Sequence, residues 1–251
     1  MFVACSSLCF GRLSLDNALQ RMRELQFAKV DLAFHAVGPH LTPAQVCADL
    51  QKTMQKLKAS SLTFAAFHVE TDPFDGPEVR EQIKAISRLA RLLAVPIITI
   101  PAANVESDLT VEIARLTDWN KMVVADGLIL SVETKQGTHA GTVEGCLNLC
   151  KAVPGLALAY DPSHFMTLPE TAADPLYPHI RHVRLRDSGK KPHEFQMRVG
   201  QGEIEYSRIY GLLERHKYER TLTVDVRDVA DSAFPVEPEV RKLKFLLESM
   251  Q

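Results

Sequence analysis

The sequence predicts an α/β protein, a single-domain (β/α)8 barrel over residues 1–251. Short apolar, β-rich runs alternate with longer amphipathic stretches from one end of the chain to the other. Eight such runs are present, the number that closes a parallel barrel. Several end in a charged side chain, as strands do when they carry chemistry to one rim.

The first run, residues 2–5, is followed by Ser14, a capping residue ahead of the amphipathic stretch 15–25. Run two is 29–34, after which Thr42-Pro43 opens a helix over 44–57. Run three is 62–69, and Gly76-Pro77 opens a helix over 78–93. Run four is 96–101; run five, 127–133, ends in Glu133 ahead of a helix at 143–151. Run six, 156–161, is stopped by Pro162, which cannot continue strand pairing. Run seven is 179–186, followed by a tight turn at Gly200-Gln-Gly202 and a helix over 206–214. Run eight, 221–225, closes on Asp225. No linker or charge block divides the chain, and the spacing is too irregular for a solenoid.

With 46% hydrophobic residues the chain can bury a sizeable core. A net charge of -2 and a pI near 6.5 argue against a nucleic-acid partner, which calls for clustered Lys and Arg. The five cysteines form no Cys-x-x-Cys pair, and Cys146 and Cys150, one helical turn apart, read as packing residues. A reduced, cytoplasmic setting fits, with neither a signal peptide nor a membrane span. Homo-oligomerisation is left open.

Residues at the C-terminal ends of the strands and in the following loops form the active face of such a barrel. Here they are Asp31, His35, His68, Glu70, Asn104, Glu133, Lys135, Asp161, His164, Arg184, Arg186, Asp187, His193, Arg198 and Asp225. Glu133, Asp161 and Asp225 aim three carboxylates at one region, where repulsion demands a cation: a divalent metal or an arginine. An all-oxygen shell suits Mg²⁺ or Mn²⁺, while added imidazoles favour Mn²⁺, Co²⁺ or Zn²⁺. The guanidinium of Arg184 could pair with two carboxylates in place of a metal, or hold an anionic substrate group.

The order Glu133, Asp161-x-x-His164, His182-Val-Arg184-Leu-Arg186-Asp187, Gly200-Gln-Gly202-Glu-Ile204, Val224-Asp225 resembles the xylose-isomerase-like TIM-barrel superfamily. That superfamily includes sugar isomerases, ketose 3-epimerases and DNA-repair enzymes of the endonuclease IV type. The resemblance implies that Glu133 and Asp225 bind a divalent metal and form the acid/base pair, with Asp161 a third ligand and His164 touching substrate. The fourth ligand is usually the second His of a His-x-His pair, where this chain has Arg184, and the strand-eight acid is usually Glu rather than Asp225. His193 is the imidazole that could complete the set. Weak metal binding is implied, and Arg184→His with Asp225→Glu should rebuild the family's ligands.

The loop residues Arg186, Lys190, Lys191 and Arg198 make a cationic patch suited to an anionic sugar, with Lys135 and His68 as further substrate contacts. The function so implied is a sugar, sugar-phosphate or sugar-acid isomerase or epimerase. Glu133 and Asp225 would work on opposite faces of the reacting carbon through an enediolate. Two alternatives stand beside it: metal-dependent phosphodiester hydrolysis of the endonuclease IV kind, and a non-catalytic barrel that binds an anionic sugar.

Overall fold

Eight parallel strands pair in chain order and close β1 onto β8: β1 (Phe2–Ser6), β2 (Lys29–His35), β3 (Thr63–Glu70), β4 (Ile97–Ile100), β5 (Ile129–Glu133), β6 (Ala157–Tyr160), β7 (Ile180–Leu185) and β8 (Thr221–Val224). The closing register sets Phe2 against Thr221 and Cys5 against Val224. This computed structural model describes all residues except Pro73, Pro192 and His193. The (β/α)8 architecture is therefore the one the alternating pattern predicts.

The connecting helices are α1 (Leu15–Glu24), α2 (Pro43–Ala48), α3 (Leu50–Ala59), α4 (Pro77–Leu92), α5 (Leu109–Ala125), α6 (Val143–Ala152), α7 (Tyr206–Arg215) and α8 (Val236–Glu248). One prediction needs correction: the helix over 44–57 is two helices, α2 and α3, broken at Asp49. A capping box between Thr42 and Gln45 starts the first. Asp49 then leaves helical geometry, at φ -151° and ψ 85°, and its carboxylate accepts from the Lys52 amide at 2.9 Å. An Asp that caps the next helix outcompetes continuation of the last. Cys146 and Cys150 are buried free thiols on α6, as the packing reading has it.

Period-two alternation divides each strand between two environments. Val30, Leu32 and Phe34 of β2, Val183 and Leu185 of β7, and Leu222 and Val224 of β8 belong to the apolar core under the helices. Their alternates, Asp31, His182, Arg184, Thr223 and Asp225, are buried without joining that cluster. A barrel interior is ordinarily packed with branched aliphatic side chains. This one is polar and charged, and that positions everything below.

Candidate active site

Arg184 spans the barrel lumen from β7. Its Nε donates to Asp31 Oδ2 on β2 at 2.9 Å, Nη2 donates to Thr99 Oγ1 on β4 at 3.1 Å, and Nη1 pairs with Glu133 Oε1 on β5. His182 Nε2 also reaches Asp31 Oδ2, at 2.8 Å. Burial pushes the Asp31 carboxyl up, but Arg184 and His182 outweigh it and hold the group at about 2. A buried carboxylate persists as an ion only with such partners.

Two residues further on, just past the end of β7, Arg186 makes a second cross-barrel link. A single nitrogen, Nη2, lies 2.5 Å from Asp161 Oδ2 and 2.9 Å from Asp225 Oδ2. Phe195 lies against this guanidinium, 4.7 Å from its ring centre. Asp161 Oδ1 is held in turn by the Ser163 amide and hydroxyl, at 3.0 and 2.5 Å. Arg227 brings Nε to 3.3 Å from Asp225 Oδ2. Burial opposes ionisation of Asp225, but Arg227, Arg186 and Arg184 carry it well below the usual carboxylate range.

Glu133, like Asp31 and Asp225, is engaged through one oxygen; theirs is Oδ2, with Oδ1 unpaired among the described residues. Both close contacts of Glu133 fall on Oε1, from Arg184 and from His68 Nε2 at 2.8 Å. Among the described residues nothing pairs with Oε2. The His68 nitrogen lies close but off the hydrogen-bonding direction, so this buried atom has no hydrogen-bond partner. Glu133 is held below its ordinary range because Arg184, Arg227 and Lys135 overcome the effect of burial.

A cavity of about 100 Å³ lies over this layer, lined by Glu133, Thr134, Lys135, Ala159, Asp161, His164, Arg184, Phe195 and Arg227. His164 Nδ1 accepts from the Gln136 amide at 3.3 Å, which places the ring proton on Nε2. Beside it a cavity of about 340 Å³ is lined by His35, Glu70, Arg12 and Asp228 among others, and Arg227 is common to both walls. A larger space of about 510 Å³, near Tyr160 and Tyr177, holds charged groups already paired, Arg208 with Asp174 and Lys190 with Glu203. The chemistry is concentrated in the smaller spaces.

The divalent metal that the resemblance implies meets side chains that are already paired. Glu133 Oε1 is engaged by Arg184, and one nitrogen of Arg186 already bridges Asp161 to Asp225. The carboxylates Asp31, Glu70, Glu133, Asp161 and Asp225 face the cations Lys135, Arg184, Arg186 and Arg227. A divalent ion on Glu133, Asp161 and Asp225 would have to displace two buried guanidinium groups. That axial set does not fit a metal, and the arginine alternative is the arrangement present. His193, the proposed fourth ligand, lies outside the described residues.

The other expected residues fall into three groups. Lys135 and His164 line the small cavity, as do Glu133, Asp161 and Arg184. Asp225 is fully buried beneath it, paired to Arg186 and Arg227, and does not line it. Arg186 and His68, expected as substrate contacts, are likewise buried. The third group points elsewhere. Arg198 lies 3.7 Å from Glu239 and over the Phe234 ring, while Lys191 pairs with Glu194, so the cationic patch is largely neutralised by local acids. Asp187 accepts from the amides of Gly200 and Gly202, at 2.7 and 3.1 Å, and fixes the turn after β7. Asn104 accepts from the Glu106 amide in an exposed turn.

Arg227 was missed by the sequence reading. It stands two residues after Asp225, and strand alternation would have put it on the same face. The role of Asp31, mid-strand rather than at the rim, is legible only once Arg184 is seen to cross the lumen.

The family model for the xylose isomerase-like TIM barrel matches residues 19–248, and the chain belongs to that family. None of the curated proteins compared with it matches. Among solved structures, it resembles a D-tagatose 3-epimerase-like protein, with a TM-score of 0.76 at 17% identity over 100% of this chain and 98% of that one. An L-ribulose 3-epimerase gives 0.73 at 15% over 100% and 95%. A xylose isomerase-like barrel from Mycobacterium smegmatis, solved in complex with magnesium, gives 0.74 at 15% over 99% and 97%. Likeness at this identity speaks for the fold.

Proposed function

We propose that the protein is a carbohydrate isomerase or epimerase in which Glu133 moves a proton at a carbon beside a carbonyl. The observation that carries this reading is the place of Glu133: Oε1 is fixed by Arg184, nothing among the described residues pairs with Oε2, and, unlike Asp31 and Asp225, the side chain lines the cavity. A fixed carboxylate with one free oxygen is a positioned base. Its lowered pKa keeps it ionised at neutral pH.

Proton removal beside a carbonyl throws negative charge onto oxygen, which needs a positive group that does not have to reorganise. Arg227 and Lys135 line the same cavity, and each has one acidic partner, at 3.3 Å in both cases. They are the groups assigned to the enediolate oxygen. His164, with its proton on Nε2, donates to a substrate oxygen. Asp225 positions Arg186 and Arg227 rather than touching substrate. The epimerase neighbours support carbohydrate as the substrate class, and a cavity lined by Arg227 and Lys135 suits a sugar that carries an anion. The phosphodiesterase alternative calls for several metal ions, and the axial carboxylates are occupied by arginine.

The experiment is proton exchange. Incubated in D₂O with ketoses, ketose phosphates and keto sugar acids, the wild type should place deuterium beside the carbonyl of its substrate, read by NMR. Binding of an anionic sugar without exchange would favour the non-catalytic barrel instead.

A further inference from the structure

We propose that His35, His68 and Glu70 form a site for one divalent transition-metal ion beside the barrel axis, between the ends of β2 and β3. It lies beside the axial carboxylates, which the arginines hold, and adjoins them at Glu133, 2.8 Å from His68 Nε2. One ligand atom from each of the three residues lies within 4.8 Å of the others. Glu70 Oε2 is 3.6 Å from His35 Nδ1, and Glu70 Oε1 is 3.8 Å from His68 Nε2. Ligands about 2.0–2.2 Å from a zinc-like ion in a tetrahedron are roughly 3.5 Å apart. The two Glu70 distances already match that spacing, while the His35 and His68 ligand atoms, within 4.8 Å, draw closer as the ion binds.

Two further observations point to a ligand there. Among the described residues the buried His68 Nε2 atom has no hydrogen-bond partner, an unusual condition for an imidazole nitrogen, and it faces oxygens of both Glu70 and Glu133. The rings are also oriented for the task. His35 Nε2 and His68 Nδ1 share a hydrogen bond of 3.1 Å, and the rings stand edge to face at 4.4 Å between centres. That bond leaves His35 Nδ1 and His68 Nε2 as the ring nitrogens nearest Glu70, at 3.6 and 3.8 Å. Two neutral rings that ligate through these nitrogens carry their protons on His35 Nε2 and His68 Nδ1, so the 3.1 Å contact opens as the ion binds and no proton need leave the pair.

Two imidazoles and one carboxylate select Zn²⁺, Co²⁺ or Fe²⁺ over Mg²⁺. His35 and Glu70 both line the cavity of about 340 Å³, so the open side of the ion would face space for water or a substrate oxygen. Lys135, 3.3 Å from Glu70 Oε1, would have to swing away, and this half-exposed, flexible side chain can do so. The site does not depend on the proton-transfer reading, because a barrel that catalyses nothing could still hold this ion.

The test is titration of metal-free full-length protein with Co²⁺ and Zn²⁺, following the visible absorption of bound Co²⁺ and the heat of Zn²⁺ binding. One equivalent should bind. His35→Ala and Glu70→Gln, checked for folding by circular dichroism, should weaken binding by more than about 100-fold, beyond what loss of an outer-sphere contact costs. Asp161→Asn should leave it unchanged. Glu70→Gln is a nearly isosteric change at a partly exposed side chain, so it keeps the test valid if His35→Ala does not fold. Failure of the wild type to bind, binding unaltered in Glu70→Gln, or loss confined to Asp161→Asn would each overturn the proposal.

Discussion

Arg186 and Asp225, one residue past the ends of β7 and β8 respectively, are joined through the same guanidinium nitrogen that holds Asp161, at 2.9 and 2.5 Å. With Arg184 crossing to Asp31 and Glu133, this puts positive charge inside the barrel as fixed side chains. Arginine's planar fork and high pKa suit it to such burial.

Removing one partner of a buried pair strands the other. Arg186→Met should lower unfolding free energy by about 3–5 kcal/mol, because Asp161 and Asp225 lose a shared cation. Urea denaturation measures this. A change within about 0.5 kcal/mol, the range for an unremarkable surface substitution, would mean that these pairs contribute little.

The variant that restores the family's ligand types should fail as a metal binder. Arg184→His with Asp225→Glu looks from sequence like a repair, but Arg186 remains on Asp161 and continues to neutralise the strand-eight acid. Calorimetry with Mn²⁺ should give an affinity no tighter than the parent's. Tighter binding would show that Arg184 alone excludes metal from the axial set.

That reversal marks how far the sequence could be read. The strand pattern was legible because apolar runs and breakers such as Pro162 act locally, and the convergence of Glu133, Asp161 and Arg184 followed from strand ends alone. Which carboxylate meets which arginine was not legible. Asp31 and Arg184 are 153 positions apart and meet only because β2 and β7 face one another across the lumen. Arg198 misled for the converse reason: its charge is answered by Glu239 on α8, a pairing that no local pattern announces.

Stability should fall in two steps as pH is lowered. Burial depresses His68, His35 and His164 below 6.5, so the unfolded chain binds protons that the folded one refuses. Their contribution is complete above about pH 6.5 and declines below it, through the folded values. Asp31, lowered by Arg184 and His182 against burial, adds stability that is present above 3.8 and is lost as pH falls through about 2. Melting temperature against pH checks both steps, and His68→Gln should make the first shallower. A flat profile between pH 7 and about 5 would contradict the buried, neutral histidines.

The account centres on Glu133 as the group that moves the proton, and solvent exchange of wild type against Glu133→Gln tests it most directly. NMR in D₂O should show deuterium entering the carbon beside the carbonyl with wild type. The Gln variant should slow exchange by about 10²–10⁴-fold, the range for loss of a general base, while sugar binding by calorimetry persists. Exchange at an undiminished rate in Glu133→Gln, or none with wild type across ketoses, ketose phosphates and keto sugar acids, would contradict it.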